Sequence, residues 1–421
     1  MRDVYIIGAA CTAFGKHADK SFEDLARWAY LEVLADAGLG QTPGAGALIQ
    51  QAWFGNCGMG QWGQGGIRGQ VAFTPLVQEG LFPEHVPMIN VEGGCATGSF
   101  AFHGAWKDVL SGEVEVSLAM GVEKLVSPDR PERVAEIFAT GIDQLQPARW
   151  QRYYEAAGQQ AGKPFETGPG RTVFMDTYAM QAAWHMKHYG TTQRQIATGA
   201  SKNHHHGSLN PKAQYQFEVS VDAVLADRPI SYPLTRSMCS PLGDGAAAAI
   251  LCSEAALQNF PAAAQARAVK VRAMALSGGK YRALDEPGLS SFAAQKAFAR
   301  SGLKAADIHL VELHDATSFC EIYQLEMLGF CQPGEGGRLV ESGATALGGR
   351  LPVNTSGGLV SKGHPIGATG LSMVYEMCQQ LRGEAGLRQV RNASLGLIEN
   401  GGGVMGFDEA ACTVTILEKS R

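Results

Sequence analysis

The sequence predicts an α/β protein made of two similar halves, with a separate segment inserted in the first. Three observations carry this. Apolar strand-like runs alternate with helical periodicity to about residue 125, the rhythm is lost from about 126 to 235, and it resumes at Gly243.

In order, Val4–Ala9 reads as a strand and Phe22 to Ala37 as a helix stopped by Gly38. A strand around Ala52–Phe54 leads into the glycine-rich stretch 55–69, with Asn56, Cys57 and Trp62. That stretch is too polar and kinked for regular structure and reads as a loop near a site or subunit contact. Val86 to Val91 is a short apolar strand, and Ala96 to Leu110 carries Phe100, Ala101, Ala105 and Val109 at helical spacing. Glu115–Met120 is a strand running into GVEKL at 121–125, and the alternation points to a mostly parallel sheet.

Within 126–235, Pro128, Pro131, Pro147, Pro164 and Pro169 punctuate the chain and the longest helix candidate runs from Thr172 to Tyr189. The segment reads as an insertion packed over the sheet and covering a substrate. Its His204-His205-His206 run invites a metal reading. Adjacent histidines point in different directions and lack ligand spacing, so a solvated or substrate-facing turn is favoured and no metal is expected. His185 and His188 read as surface or packing residues. From Gly243 the alternation resumes with strand Ala246–Cys252, and after a division at about residue 265 Val269–Ala275 and Ile308–Leu313 are strands and Ser290–Ser301 a helix. The duplication lies in the pattern, not in residue identity.

A net charge of −5 without a Lys/Arg block gives no reason to expect nucleic acid, and no apolar run approaches the roughly 20 residues of a membrane span. Nine cysteines without framework spacing suit a reducing compartment. The first residues read as a strand rather than a signal peptide, and the last four match no peroxisomal or prenylation address. A cytoplasmic enzyme is the expectation.

Three stretches carry chemistry. In VEGGCATGSFAFHG (91–104), Cys95 sits at a strand-to-helix turn, where unpaired N–H groups and the helix dipole favour a thiolate. The alternative for Cys95 is an inert buried thiol. In GGLVSKGHPIGATG (357–370), His364 lies on a pre-helix loop with Pro365 fixing the backbone, where its imidazole can take a thiol proton or simply hold the loop. In LGLIENGGGVMGF (395–407), the triple glycine brings a backbone N–H close to the site, a donor to pair with the Cys95 N–H in an oxyanion hole.

GGCATGS around Cys95, GVEKL, HDATSF at 314, SKGHPIGATG and the terminal NGGG together resemble the thiolase superfamily over essentially the whole chain. The His314-Asp315 form resembles sterol-carrier-protein-x type thiolases and bacterial lipid-transfer-like thiolases. The resemblance implies two βαβαβαββ halves in five layers, an inserted loop domain, a homodimer, and coenzyme A as co-substrate with no permanently bound cofactor. It implies Cys95 as the acyl-accepting nucleophile and His364 as its base, with His314 and His364 polarising the thioester carbonyl. The amides of Cys95 and a glycine near Gly401 form the second oxyanion site. A 3-oxoacyl-CoA would then be cleaved by a second CoA through an acyl-Cys95 thioester.

Two departures stand out. The family's second acid/base, usually a cysteine, follows His-Asp directly or lies two residues before a late glycine; those places hold Ala316 and, aligning on the triple glycine, Glu399. Glu399 is either that acid/base, its carboxyl raised toward neutrality by a dry pocket, or a structural carboxylate bonded to loop amides. Cys320 and Cys57 are weaker candidates. Three readings remain open: a thiolase acting on a bulky or branched 3-oxoacyl-CoA; a related carbon–carbon bond enzyme, such as a non-thiolytic acyltransferase or retro-aldolase; or an acyl-CoA- or lipid-binding scaffold. Some relatives work with a small zinc-ribbon and OB-fold subunit, and the loop around Trp62 is a reasonable docking or dimer surface. Trp150, Tyr153, Tyr154, Phe174 and Tyr178 suit an aromatic acyl chain or one another.

Overall fold

The computed structural model describes residues 2–166 and 172–420; Pro169 lies outside the described residues. The first half runs β1 (Val4–Cys11), α1 (Phe22–Asp36), β2 (Gln51–Gly55), α2 (Arg68–Gln78), β3 (Met88–Val91), α3 (Thr97–Ser111) and β4 (Val116–Glu123). Three long helices of the insertion follow: α4 (Pro147–Ala161), α5 (Val173–Tyr189) and α6 (Gln193–Ser208). The half closes with β5 (Gly245–Ser253). The second half repeats the pattern as β6 (Val269–Gly278), α7 (Leu289–Ser301), β7 (Leu310–Glu312), α8 (Ser318–Met327), α9 (Thr369–Arg382), β8 (Leu395–Gly402) and β9 (Ala411–Lys419). An isolated parallel bridge, Val311 to Val353, stands where this half's remaining strand belongs.

The strands form one sheet in the order β3-β2-β4-β5-β1-β6-β9-β8-β7. The halves join edge to edge where β1 meets β6, Tyr5 opposite Lys270 and Ile6 opposite Val269. The expected mostly parallel sheet is instead mixed. β2 is parallel to β3 and β4, and β8 to β7, while the pairs through β5, β1, β6 and β9 are antiparallel. Each half ends with two strands that have no helix between them on the sheet, and such neighbours can reverse direction.

Three apolar cores explain the five layers. α3 and α9 lie between the two halves of the sheet, with Ala101, Ala105, Leu371 and Met377 in the middle core. α1 and α2 cover one outer face and α7 and α8 the other. β5 shows why a central strand can be alanine-rich: Ala247, Ala249 and Leu251 face the middle core and Ala246, Ala248 and Ile250 the outer one, so neither face meets water. Gly98 is required at the α3–α9 crossing, because a Cβ there would lie 2.9 Å from the Gly367 carbonyl oxygen.

Helix α1 begins at a capping box, Ser21 Oγ accepting from the Asp24 amide at 3.0 Å and Asp24 from the Ser21 amide at 2.8 Å. Thr172 is the cap of α5 rather than its first residue. The stretch 55–69 is more regular than expected, holding a 3₁₀ turn at Met59–Trp62 and the start of α2. α2 hides in the sequence because it has no capping side chain, follows Ile67 at φ 42° and contains Pro75. Its Ala72, Phe73 and Leu76 are buried all the same. Trp62 is held within the chain: Arg133 stacks on its ring at 3.8 Å and its indole N–H donates to the Lys124 carbonyl at 3.2 Å.

The histidine run is helical, not a turn. It closes α6, with His204 and His206 buried, while His205 is exposed and bonded to Glu218 at 2.9 Å. His185 is a packing residue, its ring nitrogens bonded to Thr191 at 2.9 Å and Glu326 at 3.0 Å. No helix among the described residues is long and apolar enough to cross a membrane.

Candidate active site

Cys95 lies in a short 3₁₀ turn, Gly94–Ala96, that feeds directly into α3. The turn interlocks with the triple glycine. Gly94 has φ 56°, and a Cβ on it would stand 2.3 Å from the Gly403 nitrogen; one on Gly402 would stand 2.5 Å from the Cys95 nitrogen. Two glycine stretches about three hundred positions apart thus fit backbone to backbone. The N–H groups that reach the Cys95 sulfur are its own and that of Gly403. Gly401, where sequence reasoning put the second donor, instead faces Cys412 in the β8–β9 ladder.

The expected acidic thiol is not what results. Burial, then the charge of Glu409, pushes the Cys95 thiol up to about 12, and the two backbone N–H groups offset this only in part. At rest the thiol is protonated, and ionising it would take a base.

An unpartnered imidazole nitrogen lies beside the thiol. His364 Nδ1 lies 2.7 Å from Thr369 Oγ1, and the threonine hydroxyl donates to the Pro365 carbonyl at 3.0 Å. The imidazole must therefore donate from Nδ1, which leaves a lone pair on Nε2, and Nε2 has no partner. His314 Nε2 is likewise unpartnered, the two rings are 5.3 Å apart, and ligating atoms of Cys95, His314 and His364 all lie within 4.8 Å of one another. Burial lowers both imidazoles, His314 to about 4 and His364, with His314 and Lys362 adding to the effect, well below the usual range. Both are neutral at physiological pH. No other cluster of histidine, cysteine or acidic side chains among the described residues brings three ligating atoms so close, and a thiol beside a free imidazole lone pair is a nucleophile–base pair before it is a metal centre.

Acidic residues hold these groups in place. Glu399 is fully buried, accepting the His314 N–H at 3.1 Å and the Cys412 thiol at 3.3 Å. Burial, then the charge of Glu409, raises its carboxyl to about 8. Asp315 accepts from the Leu359 amide at 2.6 Å and Asn203 at 2.8 Å, tying the loop before His364 to α6. Glu123 of GVEKL has a role the sequence did not reveal. It accepts the amides of Cys57 and Gly58, each at 3.0 Å, and of Gly367 at 3.2 Å, joining the glycine-rich loop to the histidine loop. Cys320 and Cys57 pack, their sulfurs 3.4 Å from Thr317 Oγ1 and 3.0 Å from Thr97 Oγ1.

Cys95, His364 and Ala316 open onto a cavity of about 880 Å³ roofed by the insertion. Of the five aromatics named from the sequence, Phe174 and Tyr178 line it; Trp150, Tyr153 and Tyr154 pack in a core that the insertion shares with Leu284, Val404 and Phe407 of the second half. Phe138 and Phe217 complete an apolar wall, and the exposed Arg228 and Arg236 stand on its outer part.

Residues 4–226 match the thiolase N-terminal domain and residues 289–419 the thiolase C-terminal domain-like family. The chain belongs to the thiolase family. An acetyl-CoA acetyltransferase of Methanothermobacter thermautotrophicus is 37% identical over 96% of this chain and 98% of its own. The benzoylsuccinyl-CoA thiolase subunit BbsB of Thauera aromatica is 30% identical over 91% and 90%. Among solved structures, an Ltp2–ChsH2(DUF35) aldolase superposes with TM-score 0.77 at 23% identity over 100% of this chain and 98% of its own, a likeness of fold. This thiolase is an acyl-CoA acyltransferase by family.

Proposed function

We propose that the protein cleaves, or in reverse forms, a 3-oxoacyl-CoA with a bulky or aromatic acyl group, in two steps through an acyl-Cys95 thioester. The observation that carries this reading is the buried Cys95 sulfur beside two unpartnered imidazole nitrogens, with Cys95 and His364 opening onto a large, aromatic-walled cavity. His364 Nε2 takes the thiol proton as sulfur attacks C3, and the oxyanion that forms meets the N–H groups of Cys95 and Gly403. Collapse breaks the C2–C3 bond and releases an acetyl-CoA unit. His314 and His364 hold the CoA thioester oxygen of the departing unit, and coenzyme A then enters as second substrate. Glu399 fits a positioning role, since it holds the His314 backbone and does not line the cavity.

The aromatic wall and the size of the cavity support the bulky acyl group, and Arg228 and Arg236 on its outer part suit the phosphates of coenzyme A. A homodimer fits the open edge of β3, whose four residues are all half-buried. A small partner subunit fits the relative named as a subunit and the DUF35 assembly of the structural neighbour.

Intact mass after incubation with short, branched and aromatic 3-oxoacyl-CoA esters tests the reading. An adduct on Cys95, absent in Cys95→Ser and cleared by free CoA to a shortened acyl-CoA, is expected. Cleavage without an adduct would point to retro-aldol chemistry instead.

A further inference from the structure

The retro-Claisen step leaves an electron pair on C2 of the departing unit, and that carbon must receive a proton. Neither place the family uses for the donor presents one to the substrate. Ala316 follows His314-Asp315, and Glu399, in the other place on the triple-glycine alignment, holds the His314 amide at 3.1 Å and does not line the cavity; counting two back from Gly403 instead, whose N–H faces the Cys95 sulfur, gives Gly401. The space in front of Gly401 is filled from elsewhere: a Cβ there would stand 2.6 Å from Cγ of Glu409 and 2.9 Å from its Oε1. Glu409 belongs to a second, inner cavity of about 20 Å³, together with Cys320, Gly403 and Tyr178. It does not line the cavity that opens on Cys95 and His364.

Tyr178 of α5 lines both cavities, and among the described residues it alone does so. It stands where three apolar cores meet, and among the described residues no hydrogen bond occupies its hydroxyl. Tyr178 therefore stands between the cavity that Cys95 and Ala316 line and the one that holds Cys320 and the Glu409 side chain in front of Gly401. Burial raises it well above the ordinary tyrosine range, which keeps it protonated at working pH.

We propose that Tyr178 is the second acid/base of this enzyme, donating its phenolic proton to C2 as the C2–C3 bond breaks; this rests on the thioester reading above. The electron pair of the broken bond becomes the new C2–H bond. The phenolate left behind takes the thiol proton of incoming coenzyme A, whose sulfur displaces Cys95 from the acyl group, and Cys95 recovers its proton from His364. A raised phenol suits this exchange because the carbanion is far more basic than any side chain. A coenzyme A thiolate, with a thiol near the ordinary cysteine value of about 8.5, leaves without an acid.

That difference supplies the test. Benzoyl-CoA and 3-oxo-3-phenylpropionyl-CoA deposit the same benzoyl group on Cys95, but only the second requires proton delivery to carbon. Single-turnover loading is followed by intact mass in wild type and Tyr178→Phe. The expected result is oxo-ester loading slowed at least about 100-fold and benzoyl-CoA loading slowed at least about tenfold less than that, because a thiolate can leave without the phenol whereas the carbanion cannot. Equal slowing of both, or of neither, would overturn Tyr178 as the acid. Wild type that forms no Cys95 thioester from either ester would instead remove the thioester reading, and this proposal with it.

Discussion

Replacing His364 by alanine tests the nucleophile–base pair most directly. The Cys95 thiol is pushed up to about 12 by burial and the Glu409 charge, so at pH 8 only about one thiol in 10⁴ is ionised unaided. In the proposed mechanism wild type avoids that penalty because the Nε2 lone pair of His364 takes the proton as sulfur attacks. A positioned base contributes about 10²- to 10⁴-fold, so His364→Ala should slow acyl loading by that factor. The pH dependence provides a second signature. His364 is lowered well below its usual value and is already neutral above pH 7, so wild-type loading should be flat from about pH 7 to 9. Without it the rate follows the thiolate fraction and rises about tenfold per pH unit, because a group with its pKa near 12 is still ionising throughout that range. Mass-spectrometric loading and iodoacetamide alkylation across pH check both. An unchanged rate with an unchanged slope would mean that His364 is not the base.

Further expectations follow from the same contacts. Gly94→Ala places a Cβ 2.3 Å from the Gly403 nitrogen at φ 56° and should abolish loading while circular dichroism stays near wild type; an active variant would show that the interlocked turns can separate. Glu399→Gln should lower kcat about tenfold through His314 and leave KM and the loading from plain acyl-CoA unchanged; a specific loss of the carbon–carbon step would make Glu399 the acid after all. His314 is held neutral with its pKa lowered to about 4 against about 6.5 unfolded, so its stabilisation is present above 6.5 and is lost as pH falls toward 4. His314→Gln should recover up to about 3 kcal/mol of the acid loss in urea titrations at pH 4 relative to pH 7, and parallel pH curves would refute this. Cys320→Ala should keep near-wild-type turnover, since its thiol packs against Thr317, and a loss above tenfold would return it to the chemistry.

The halves, their strand–helix order and the positions of Cys95, His314 and His364 were legible in the sequence because each depends on short-range information. Apolar period marks an element, and glycine, proline and histidine mark the loops between elements. The parallel bias was misjudged because strand direction depends on which neighbour a strand finds, not on its own residues. α2 stayed hidden for want of a capping side chain, with Pro75 inside it.

At the site, tertiary structure decided whatever depends on residues far apart in the chain. That Gly403 rather than Gly401 faces the Cys95 sulfur follows from the fit of β8 against the turn before α3. That Glu399 holds the His314 backbone follows from the face of β8 it occupies. The sign of the Cys95 shift reversed because burial outweighs two backbone N–H groups, and burial is a property of the whole fold. Tyr178 read in sequence as one aromatic among several. Only the packing of the inserted α5 against the second half sets its phenol between the two cavities, where a side chain brought in from another part of the chain can take over a role that the usual positions have lost.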